Sequence, residues 1–541
     1  MDTQRIILLF IFSFSLLLLW EAWQREQRPK PIPEELKHQG SVPVPQKAGP
    51  APQVPRAPEA APAQAPEPAG ELVRVQTDLV VAEIDTAGAT LRRLELLRHR
   101  DPADPARGFV LLGPEHAYAA LSGLIGEGAP NHRSAWRVRN GPRELHPGMD
   151  TLEVRFFAEA GAGGQLEKIY VFRRDRYDIE LRFEARGAHG ATHAYYQLVR
   201  DARAPAGESA LMALYTGPVV YTAEKAYQKV DFGSIEKDKA DHPRQSDNGW
   251  IGMVQHYFVA AWLAPERTPR EYYTRRLQDG NFAAGAIVPL APAGEASVAS
   301  VRLYAGPQEQ HRLRALAPGL DLVVDYGWLA IIAWPLFAIL EFFHRWTGNW
   351  GVAIILLTVL IKLVFFPLSA ASYRSMARMK LVMPRLQRIR ETYANDRAKM
   401  NQAMMELYKT ERINPLGGCF PILVQIPVFI ALYWVLLAAI ELRHAPFVLW
   451  IKDLSVPDPY YVLPVLMAAT MVIQARMNPP PPDPVQAQVM KFMPYVFSVF
   501  FFFFPAGLVL YWLVNNVLSI LQQWQIQRMF ERDGSAHGKR A

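Results

Sequence analysis

A lysine inside an apolar run is the residue with the clearest potential for chemistry in this sequence. Lys362 lies within Trp350 to Leu368, where Thr358 is the other polar side chain. A charged residue inside a membrane span costs free energy and is a functional-site candidate by default. Thr358 lies one helical turn earlier on the same face. We predict that both residues line a water-filled groove that admits polar, acidic segments; snorkelling of Lys362 to the headgroups is the alternative.

Further polar side chains interrupt the later apolar runs. Asn516, Ser519 and Gln523 follow Trp512 along one helical face, and Gln425 lies in an earlier run. Hydrogen bonds between helices would explain such residues, because they hold membrane bundles together. Lining of the same groove is a compatible interpretation. We take Thr358, Gln425, Asn516 and Ser519 as candidate groove residues beside the cation Lys362.

An aromatic surface is predicted near the end of the chain. Five consecutive phenylalanines, Phe500 to Phe504, precede a run that contains more large apolar side chains. An interfacial aromatic belt accounts for part of this pattern. It does not require five phenylalanines in a row, so we predict a hydrophobic slide for a guest helix. Its candidate residues are Phe500, Phe504, Leu508, Tyr511 and Trp512.

Signatures of common enzymes are missing from the sequence. It contains no P-loop, no Gly-x-Ser-x-Gly and no His-Glu-x-x-His, and its single cysteine, Cys419, excludes an intramolecular disulfide framework. We expect no catalytic residue, no cofactor and no metal site. Aromatic residues such as Trp250 are expected to pack a core rather than to bind a sugar or peptide.

These residues need a membrane bundle to position them. The chain has 541 residues, half of them hydrophobic, and several apolar runs approach or reach the roughly 17–25 residues that span a bilayer. The predicted segments, in chain order, are a signal-anchor helix at 1–25, a linker rich in Pro and Ala at 26–70, a β domain at 71–320, an amphipathic surface helix at 325–346, a span at 349–370, a basic helical hairpin at 371–413, spans at 414–440, 460–477, 490–505 and 507–527, and a basic tail at 528–541.

Charge sets the predicted orientation. The 371–413 hairpin carries ten Lys and Arg against four Asp and Glu, whereas the loop 441–459 carries only Arg443 and Lys452. Positive loops stay in the cytoplasm. Both termini are therefore predicted to be cytoplasmic and the β domain to be outside. Segment 325–346 is interrupted by Pro335, and counting it as a span would put the hairpin outside, so we predict that it lies on the outer surface.

The region 71–320 is predicted to be an all-β sandwich. Short alternating stretches such as Lys168 to Phe172 and Tyr177 to Phe183 are separated by Gly, Pro and Asp. Many short strands between turn signals are typical of sandwiches. A membrane-anchored enzyme that processes carbohydrate through this domain is one rival hypothesis, and the lack of a catalytic cluster argues against it.

Long motifs in this chain resemble the YidC/Oxa family of membrane protein insertases, in its Gram-negative form. The anchor, the large outer domain and the helical core all match, so the resemblance covers the whole chain. The segments that carry it are Asn349-Trp350-Gly351, Pro367-Leu368, Asn414 to Pro421, Gln425-Ile426-Pro427, Glu441-Leu442-Arg443, Asp453-Leu454-Ser455, Asp458 to Tyr461, Pro505 to Trp512 and Gly249 to Met253.

The resemblance implies a fold and a function. The expected fold is a five-helix insertase bundle with an N-terminal anchor helix and a periplasmic β-supersandwich. The expected function is insertion and folding of bacterial inner-membrane proteins, with or without the Sec translocon, through a hydrophilic groove open to the cytoplasm. Expected partners are nascent inner-membrane proteins, the Sec translocon with its accessory subunits, the ribosome and signal-recognition receptor at the hairpin and tail, and anionic lipids, with no small-molecule substrate.

Two positions depart from the family pattern. The groove cation of the family maps onto Lys362 but is arginine in many relatives; lysine keeps the charge and loses the planar five-donor fork. The substrate-contacting aromatic pair maps onto Tyr511 and Trp512, where two tyrosines are common. The alternative to an insertase is a multi-pass transporter or channel with a periplasmic binding domain, which inverted repeats with broken helices would favour.

Overall fold

The computed structural model describes most of the chain after residue 69. The described residues are 70–102, 104, 106–160, 164–187, 191–205, 214–294, 296–393, 396–411, 420–477 and 484–538. They divide into a β unit, which ends at Val324, and a helical unit, which begins at Asp325. The predicted anchor at 1–25, the linker up to residue 69 and the motif residues Asn414 to Cys419 lie outside the described residues.

The β unit contains two antiparallel sheets, which confirms the predicted sandwich. The strands are β1 Leu72–Gln76, β2 Val80–Asp85, β3 Thr90–Arg100, β4 Gly108–Leu112, β5 Ala119–Gly126, β6 Arg137–Val138, β7 Thr151–Ala160, β8 Gly164–Arg173, β9 Asp178–Arg186, β10 Ala191–Arg200, β11 Gly217–Thr222, β12 Ala226–Lys229, β13 Gln245–Ser246, β14 Trp250–Gln255, β15 Phe258–Leu263, β16 Arg270–Arg276, β17 Phe282–Pro289, β18 Ala291–Ala293 and β19 Ala296–Pro307. One sheet has the order β1-β2-β3-β5-β10-β17-β16-β13, with β4 beside β3. The other has the order β12-β11-β14-β15-β19-β9-β8-β7-β6, with β18 beside β19. Two short helices, α1 Phe232–Glu236 and α2 Gln310–Leu316, complete the unit.

A buried lysine connects the two sheets. Lys168 on β8 is fully buried, and its Nζ donates to the carbonyl oxygens of Gly88 at 2.8 Å and Ser122 at 3.2 Å. Ser122 lies on β5 of the opposite sheet. Burial lowers the pKa of Lys168 well below its usual range, because a charge is costly in a medium of low dielectric constant. Its two carbonyl partners therefore cross-link the sheets through a side chain that no sequence motif singled out.

Trp250 packs as a core residue of the β unit. Its side chain is 1% exposed, stacks on Tyr221 with ring centroids 5.9 Å apart, and donates through Nε1 to the Pro318 carbonyl. A buried indole with a satisfied N–H contributes to packing and leaves no face for a ligand. The expectation that Trp250 packs a core is confirmed.

The helical unit contains eight α-helices within its described residues. They are α3 Ala330–Thr347, α4 Trp350–Val364, α5 Phe366–Thr392, α6 Arg397–Thr410, α7 Phe420–Ala438, α8 Val462–Met477, α9 Pro484–Phe500 and α10 Ala506–Gly538. α10 packs against α4, α5, α7 and α8, so it is central to the unit, while α3 packs against α4 and α7.

The predicted span 349–370 is not one straight helix. α4 ends at Val364, and the axis bends by 62° before Phe366–Ser375. Pro367 lies in the first turn of α5, where the missing N–H of proline is tolerated. It cannot donate to the carbonyl four residues earlier, so the ladder of α4 does not continue. The apolar residues after Phe365 therefore belong to the base of the basic hairpin.

Length and apolar composition single out few helices as membrane spans. Among the described residues, Gly327–Thr347 is long and apolar enough to cross, and the bent pair of α4 with Phe366–Ser375 qualifies if it is taken as one span. Shorter apolar helices are Val424–Ala438, Val462–Met477 and Lys491–Phe503. α3 continues through Pro335. Its predicted position on the outer surface stays a prediction, since length alone does not distinguish it from a crossing.

The hairpin of α5 and α6 is held together by its own apolar side chains. Val382 and Leu386 are buried, and Met379, Met383, Met404, Leu407 and Tyr408 pack against them. Arg385 also forms an ion pair with Glu411 at 2.5 Å. These methionines therefore stabilise the hairpin, whereas Met405, which is 54% exposed, is available to a partner.

Candidate functional site

Lys362 lies buried between α4 and α10. Its side chain is 7% exposed, and its Nζ donates to the Ser519 Oγ at 2.8 Å. Within the described residues no carboxylate forms an ion pair with it. A hydroxyl partner orients the ammonium and leaves its charge unneutralised. The interior of the helical bundle thus holds a cation. An incoming acidic group can approach this cation without displacing a carboxylate of the protein.

A series of hydrogen bonds links Lys362, through Ser519, to the predicted groove residue Gln425. Ser519 donates to the Asn515 carbonyl at 2.7 Å, and the Asn515 Oδ1 accepts from the Gln425 Nε2 at 3.2 Å. This series joins α4, α10 and α7. Asn516 donates to Thr470 on α8 at 3.5 Å. We call the set Lys362, Gln425, Thr470, Asn515, Asn516, Ser519 and Gln522 the polar layer.

Thr358 does not join the hydrogen-bond series. Its hydroxyl donates to the carbonyl of Ile354 in its own helix at 2.7 Å, and the side chain is 1% exposed. Such back-bonding satisfies a buried hydroxyl locally. The structure therefore places Thr358 one turn from Lys362, as the spacing predicted, without a hydrogen bond between the two side chains.

Three members of the polar layer, Thr470, Asn515 and Gln522, were not among the predicted groove residues. Thr470 on α8 accepts from Asn516. Gln522 donates weakly to the Lys362 carbonyl at 3.5 Å, and its own Oε1 is buried without a hydrogen bond. Gln522 lies one turn after Ser519 on α10, a spacing that could have indicated it.

An apolar half of the bundle separates the polar layer from one end of the helices. Lys362 lies 13 residues after Asn349, the N-cap of α4, or about 20 Å along the axis. The intervening buried side chains include Ile354 and Leu357 on α4, and Leu508 and Val509 on α10, each at most 2% exposed. A packed apolar half is impermeable to ions, so the polar layer is closed towards that end.

A loop covers the apolar end. The Asn349 Nδ2 donates to the Phe447 carbonyl at 2.9 Å, and the Gly507 N–H donates to the Leu454 carbonyl, also at 2.9 Å. A Cβ at Gly351 would lie 2.1 Å from the Phe447 ring. The Asn349-Trp350-Gly351 motif therefore caps α4 and makes room for the loop 441–459.

The aromatic residues form a cluster around Trp512. Its ring lies 4.4 Å from that of Phe429 and 4.5 Å from that of Phe501, and Phe429 also stacks against Tyr511 at 5.8 Å. Trp512 is half-buried, whereas Tyr511 and Leu508 are 2% exposed. Of the predicted slide, Trp512 thus presents part of its surface, and Tyr511 and Leu508 support it from behind.

The two predicted phenylalanines lie in different surroundings. Phe504 is half-buried and lies 5.7 Å from Phe501. Phe500 is 40% exposed and lies near Phe497 on its own helix. The residue that packs on Trp512 is Phe501, which the sequence analysis did not choose. Phe429 was missed as well, because nothing in its own run distinguishes it from neighbouring apolar residues.

No metal site accompanies this arrangement. The described residues contain no group of three or more His, Cys, Asp or Glu side chains that could hold a metal ion. The chemistry that the polar layer offers is solvation of polar groups and attraction of an acid, and the Trp512 cluster offers apolar contact.

Comparison with known proteins assigns the family. One family model, described as the 60Kd inner membrane protein, matches residues 342–533, and a second, the YidC periplasmic domain, matches residues 72–339. The chain belongs to the YidC family of membrane protein insertases. Proteins described as membrane protein insertase YidC are similar along their full length: that of Nitrosospira multiformis is 53% identical over 561 residues, covering 99% of this chain and 98% of the relative, and that of Methylobacillus flagellatus is 52% identical over 549 residues, covering 98% of each.

A solved structure is also similar. The crystal structure of an active YidC insertase with its first transmembrane domain resolved has a TM-score of 0.38 and 18% identity, and the match covers 84% of this chain and 94% of that one. The relatives and family models support the insertase prediction and not the transporter or channel. The chain is a membrane protein insertase of the inner membrane with a periplasmic β domain, and its clients are membrane proteins.

Proposed function

We propose that Lys362 and the polar layer receive the polar segment that a client must move across the membrane. The observation that carries this proposal is the Lys362–Ser519 hydrogen bond: a buried ammonium held by a hydroxyl, with no internal carboxylate paired to it among the described residues. Such a cation attracts an acidic segment, and the neighbouring amides solvate its backbone. Its 7% exposure also favours a groove over snorkelling, which would carry the ammonium to the headgroups.

The client helix then passes the Trp512 cluster into lipid. Trp512 and Phe504 present partly exposed rings, and Phe429, Phe501, Leu508 and Tyr511 fix their positions. Burial of apolar surface in the bilayer drives this step, at about 25 cal/mol per Å², so no nucleotide is required. The groove opens to the cytoplasm and is closed outside by the apolar half and the loop 441–459.

The orientation in this proposal follows the charges. The hairpin and both termini are cytoplasmic, six spans including the anchor cross the membrane, and α3 lies on the outer surface. α3 buries Ala333, Leu336 and Leu340 against the bundle and exposes Ile331, Phe342 and Trp346 on other faces. An apolar exposed face suits a helix in the interfacial plane. Labelling of cysteines placed in the hairpin and in α3 from either side of a vesicle tests this assignment.

The basic hairpin is the surface we assign to cytoplasmic partners. α5 exposes Arg374, Arg378 and Arg388 along one face. These charges suit ribosomal RNA, the signal-recognition receptor and anionic lipid headgroups, and the basic tail adds to them. Cooperation with the Sec translocon and its accessory subunits, and independent insertion of small clients, both belong to the proposed function.

Photocrosslinking from Trp512 tests the proposed path. A photoreactive residue replaces Trp512, with one at the exposed Val517 of the same helix as a matched control. The bait is a ribosome-stalled nascent inner-membrane protein of stepped lengths. We expect crosslinks at position 512 that appear and then vanish as the chain lengthens, with fewer at 517. Absence of crosslinks at every length, with ribosomes bound, would assign the Trp512 cluster to bundle packing alone.

A further inference from the structure

An exposed apolar surface lies at the end of the bundle that the polar layer does not reach. It consists of side chains from the loop 441–459, from the two tyrosines that precede α8 and from the turn before α10. We call it the outer rim. Its members and exposed fractions are Val448 at 48%, Leu449 at 81%, Tyr460 at 69%, Tyr461 at 47% and Phe503 at 60%.

The backbone at Leu449 is in a conformation that does not suit leucine. Its φ is 53°, in the left-handed region, where Gly and Asn are the residues of choice and bulky side chains are disfavoured. Packing within the protein does not explain the choice, because the side chain is 81% exposed. Tyr461 repeats the pattern, with φ at 56° and 47% of its side chain exposed. Leu449 thus occupies a strained backbone position without packing inside the protein.

The loop that presents Leu449 is fixed rigidly to the bundle. A tight turn closes behind it, since the Phe447 N–H donates to the Ile451 carbonyl at 2.9 Å. Ile451 and Leu454 face inward and are at most 4% exposed. The Asp458 carboxylate accepts from the Trp450 Nε1 at 2.9 Å and from the Leu463 N–H at 2.8 Å. A loop held at this many points can transmit the position of its tip to the helices.

The outer rim continues into the apolar flank of the bundle. Tyr460 lies edge to face with Trp450 at 6.1 Å, and Tyr461 lies 5.4 Å from Phe502. α8 begins directly after Tyr461 and exposes Val465, Leu466 and Ile473. Exposed apolar side chains on a membrane helix face hydrocarbon, and tyrosines concentrate at the boundary between hydrocarbon and headgroups. The rim is therefore placed where the flank of α8 meets that boundary.

We propose that the outer rim is a lipid anchor, in which Leu449 and Val448 enter the acyl region of the outer leaflet and Tyr460 and Tyr461 lie at its headgroups. The anchor holds the apolar end of the bundle at a fixed depth, so that the loop 441–459 and the apolar half beneath it stay in register with the bilayer. The leaflet assignment rests on the orientation given under Proposed function; the contact with lipid does not.

Fluorescence quenching in proteoliposomes tests the anchor. The full chain carries Cys419→Ser and a single new cysteine at Leu449, labelled with an environment-sensitive fluorophore, in vesicles of phosphatidylethanolamine and phosphatidylglycerol. Lys452, an exposed polar residue of the same loop, provides the matched control site. We expect the label at 449 to be blue-shifted, quenched by nitroxide-bearing lipids and protected from aqueous iodide, and the label at 452 to be quenched by iodide several-fold more strongly.

Two results would overturn the anchor. Equal quenching of both sites by iodide would show that the rim faces water. Protection of site 449 from both iodide and lipid nitroxide would assign it to a protein contact, with a second copy or another membrane protein. Iodide present on only one side of the vesicle reports orientation separately: a label at 452 reached only from the side of the hairpin would refute the topology and leave the lipid contact intact.

A substitution of Leu449 tests the lipid anchor without a fluorophore on that residue. Leu449→Asn suits the left-handed backbone and removes the apolar side chain. We expect this variant to fold. A fluorophore at the neighbouring position 448 should then emit at a longer wavelength and be quenched more strongly by iodide. Unchanged emission would contradict a role for Leu449 in lipid contact.

Discussion

The Lys362 ammonium and the Ser519 hydroxyl form a hydrogen bond of 2.8 Å between helices α4 and α10. Ser519 donates its single proton to the Asn515 carbonyl, so its oxygen can only accept from Lys362. Ser519 lies on α10, which also packs against α5 at the base of the hairpin. This one hydroxyl therefore aims the cation from a helix that also contacts the element we assign to cytoplasmic partners.

Replacing Lys362 should affect clients according to their charge. Lys362→Ala removes the cation, and we expect insertion of a client with an acidic translocated segment to fall about tenfold, which corresponds to a loss of about 1.4 kcal/mol of attraction. A client with a neutral segment should insert at nearly the original rate, because the polar layer still solvates it. Protease protection of radiolabelled clients in proteoliposomes measures both.

Lys362→Arg is the matched control for that series. It keeps the charge and adds the planar five-donor fork of arginine, so acidic clients should insert at least as well as with lysine. Lys362→Gln and Lys362→Ser should support weakly charged clients. Full insertion of the acidic client by Lys362→Ala would refute a role for the charge.

Ser519→Ala should also reduce the preference for acidic over neutral clients, because Ser519 positions the Lys362 ammonium. Removal of the acceptor leaves the Lys362 ammonium without its hydrogen bond, at a cost of about 1–3 kcal/mol when the group stays buried. We expect the ratio of acidic to neutral client insertion to fall less than in Lys362→Ala, and Ser519→Thr to restore it. The double variant should be no worse than Lys362→Ala alone, since the two residues act as one unit. Additive losses in the double variant would make Ser519 a structural residue only.

The sequence predicted the types of functional residue better than their partners. Lys362 was identified from its charge within an apolar run, but Ser519 lies 157 residues away, and only the packing of α10 on α4 brings them together. Helical periodicity put Asn516 and Ser519 on one face; it could not show that Asn515 links Ser519 to Gln425 or that Asn516 reaches Thr470. In the β unit, alternating strands predicted a sandwich, whereas the pairing of β5 with β10 depends on contacts between distant segments.

The five phenylalanines illustrate a limit of periodicity. α9 ends at Phe500, and Phe501 to Phe503 form a 3₁₀ turn with about three residues per turn instead of 3.6. That change of period turns Phe501 inward, to 2% exposure, and Phe503 outward, to 60%. A run of five identical residues carries no signal that distinguishes Phe501, which contacts Trp512, from the predicted Phe500 and Phe504.

Gly351→Ala should displace the loop 441–459. The added Cβ would lie 2.1 Å from the Phe447 ring, and overpacking of this kind costs about 1–3 kcal/mol. We expect a lower melting temperature in detergent and faster proteolysis within the loop. Combining it with Phe447→Leu, which makes room, should recover part of the loss. Gly348→Ala is not a control, because its φ of 67° strains any side chain; Gly507→Ala is the better one, since its Cβ would have contacts no shorter than 3.2 Å.

Glu180 should make the stability of the β unit depend on pH. Burial raises its pKa, but hydrogen bonds from Arg173 and Ser300 and the charges of Arg173 and Arg182 outweigh burial, so the net pKa is lowered. A carboxylate with a lowered folded pKa stabilises the fold above its unfolded pKa, and this contribution is lost as the pH falls through the folded pKa. Glu180→Gln should therefore lower the free energy of unfolding by about 0.5–1 kcal/mol at pH 7, because solvent screens a partly exposed carboxylate, and by much less in the acid range below its usual pKa.

Urea unfolding of the β unit at neutral and acid pH measures the Glu180 difference. Ser300→Ala provides the internal control, because Ser300 Oγ donates to Glu180 Oε1 at 3.1 Å. The loss of unfolding free energy in Ser300→Ala should become smaller as the pH falls, since a protonated carboxyl is a weaker acceptor than a carboxylate. The two variants should also be less than additive, because they remove the same interaction. A cost of Glu180→Gln that is equal at both pH values would show that shape and packing, and not the charge of Glu180, determine its contribution.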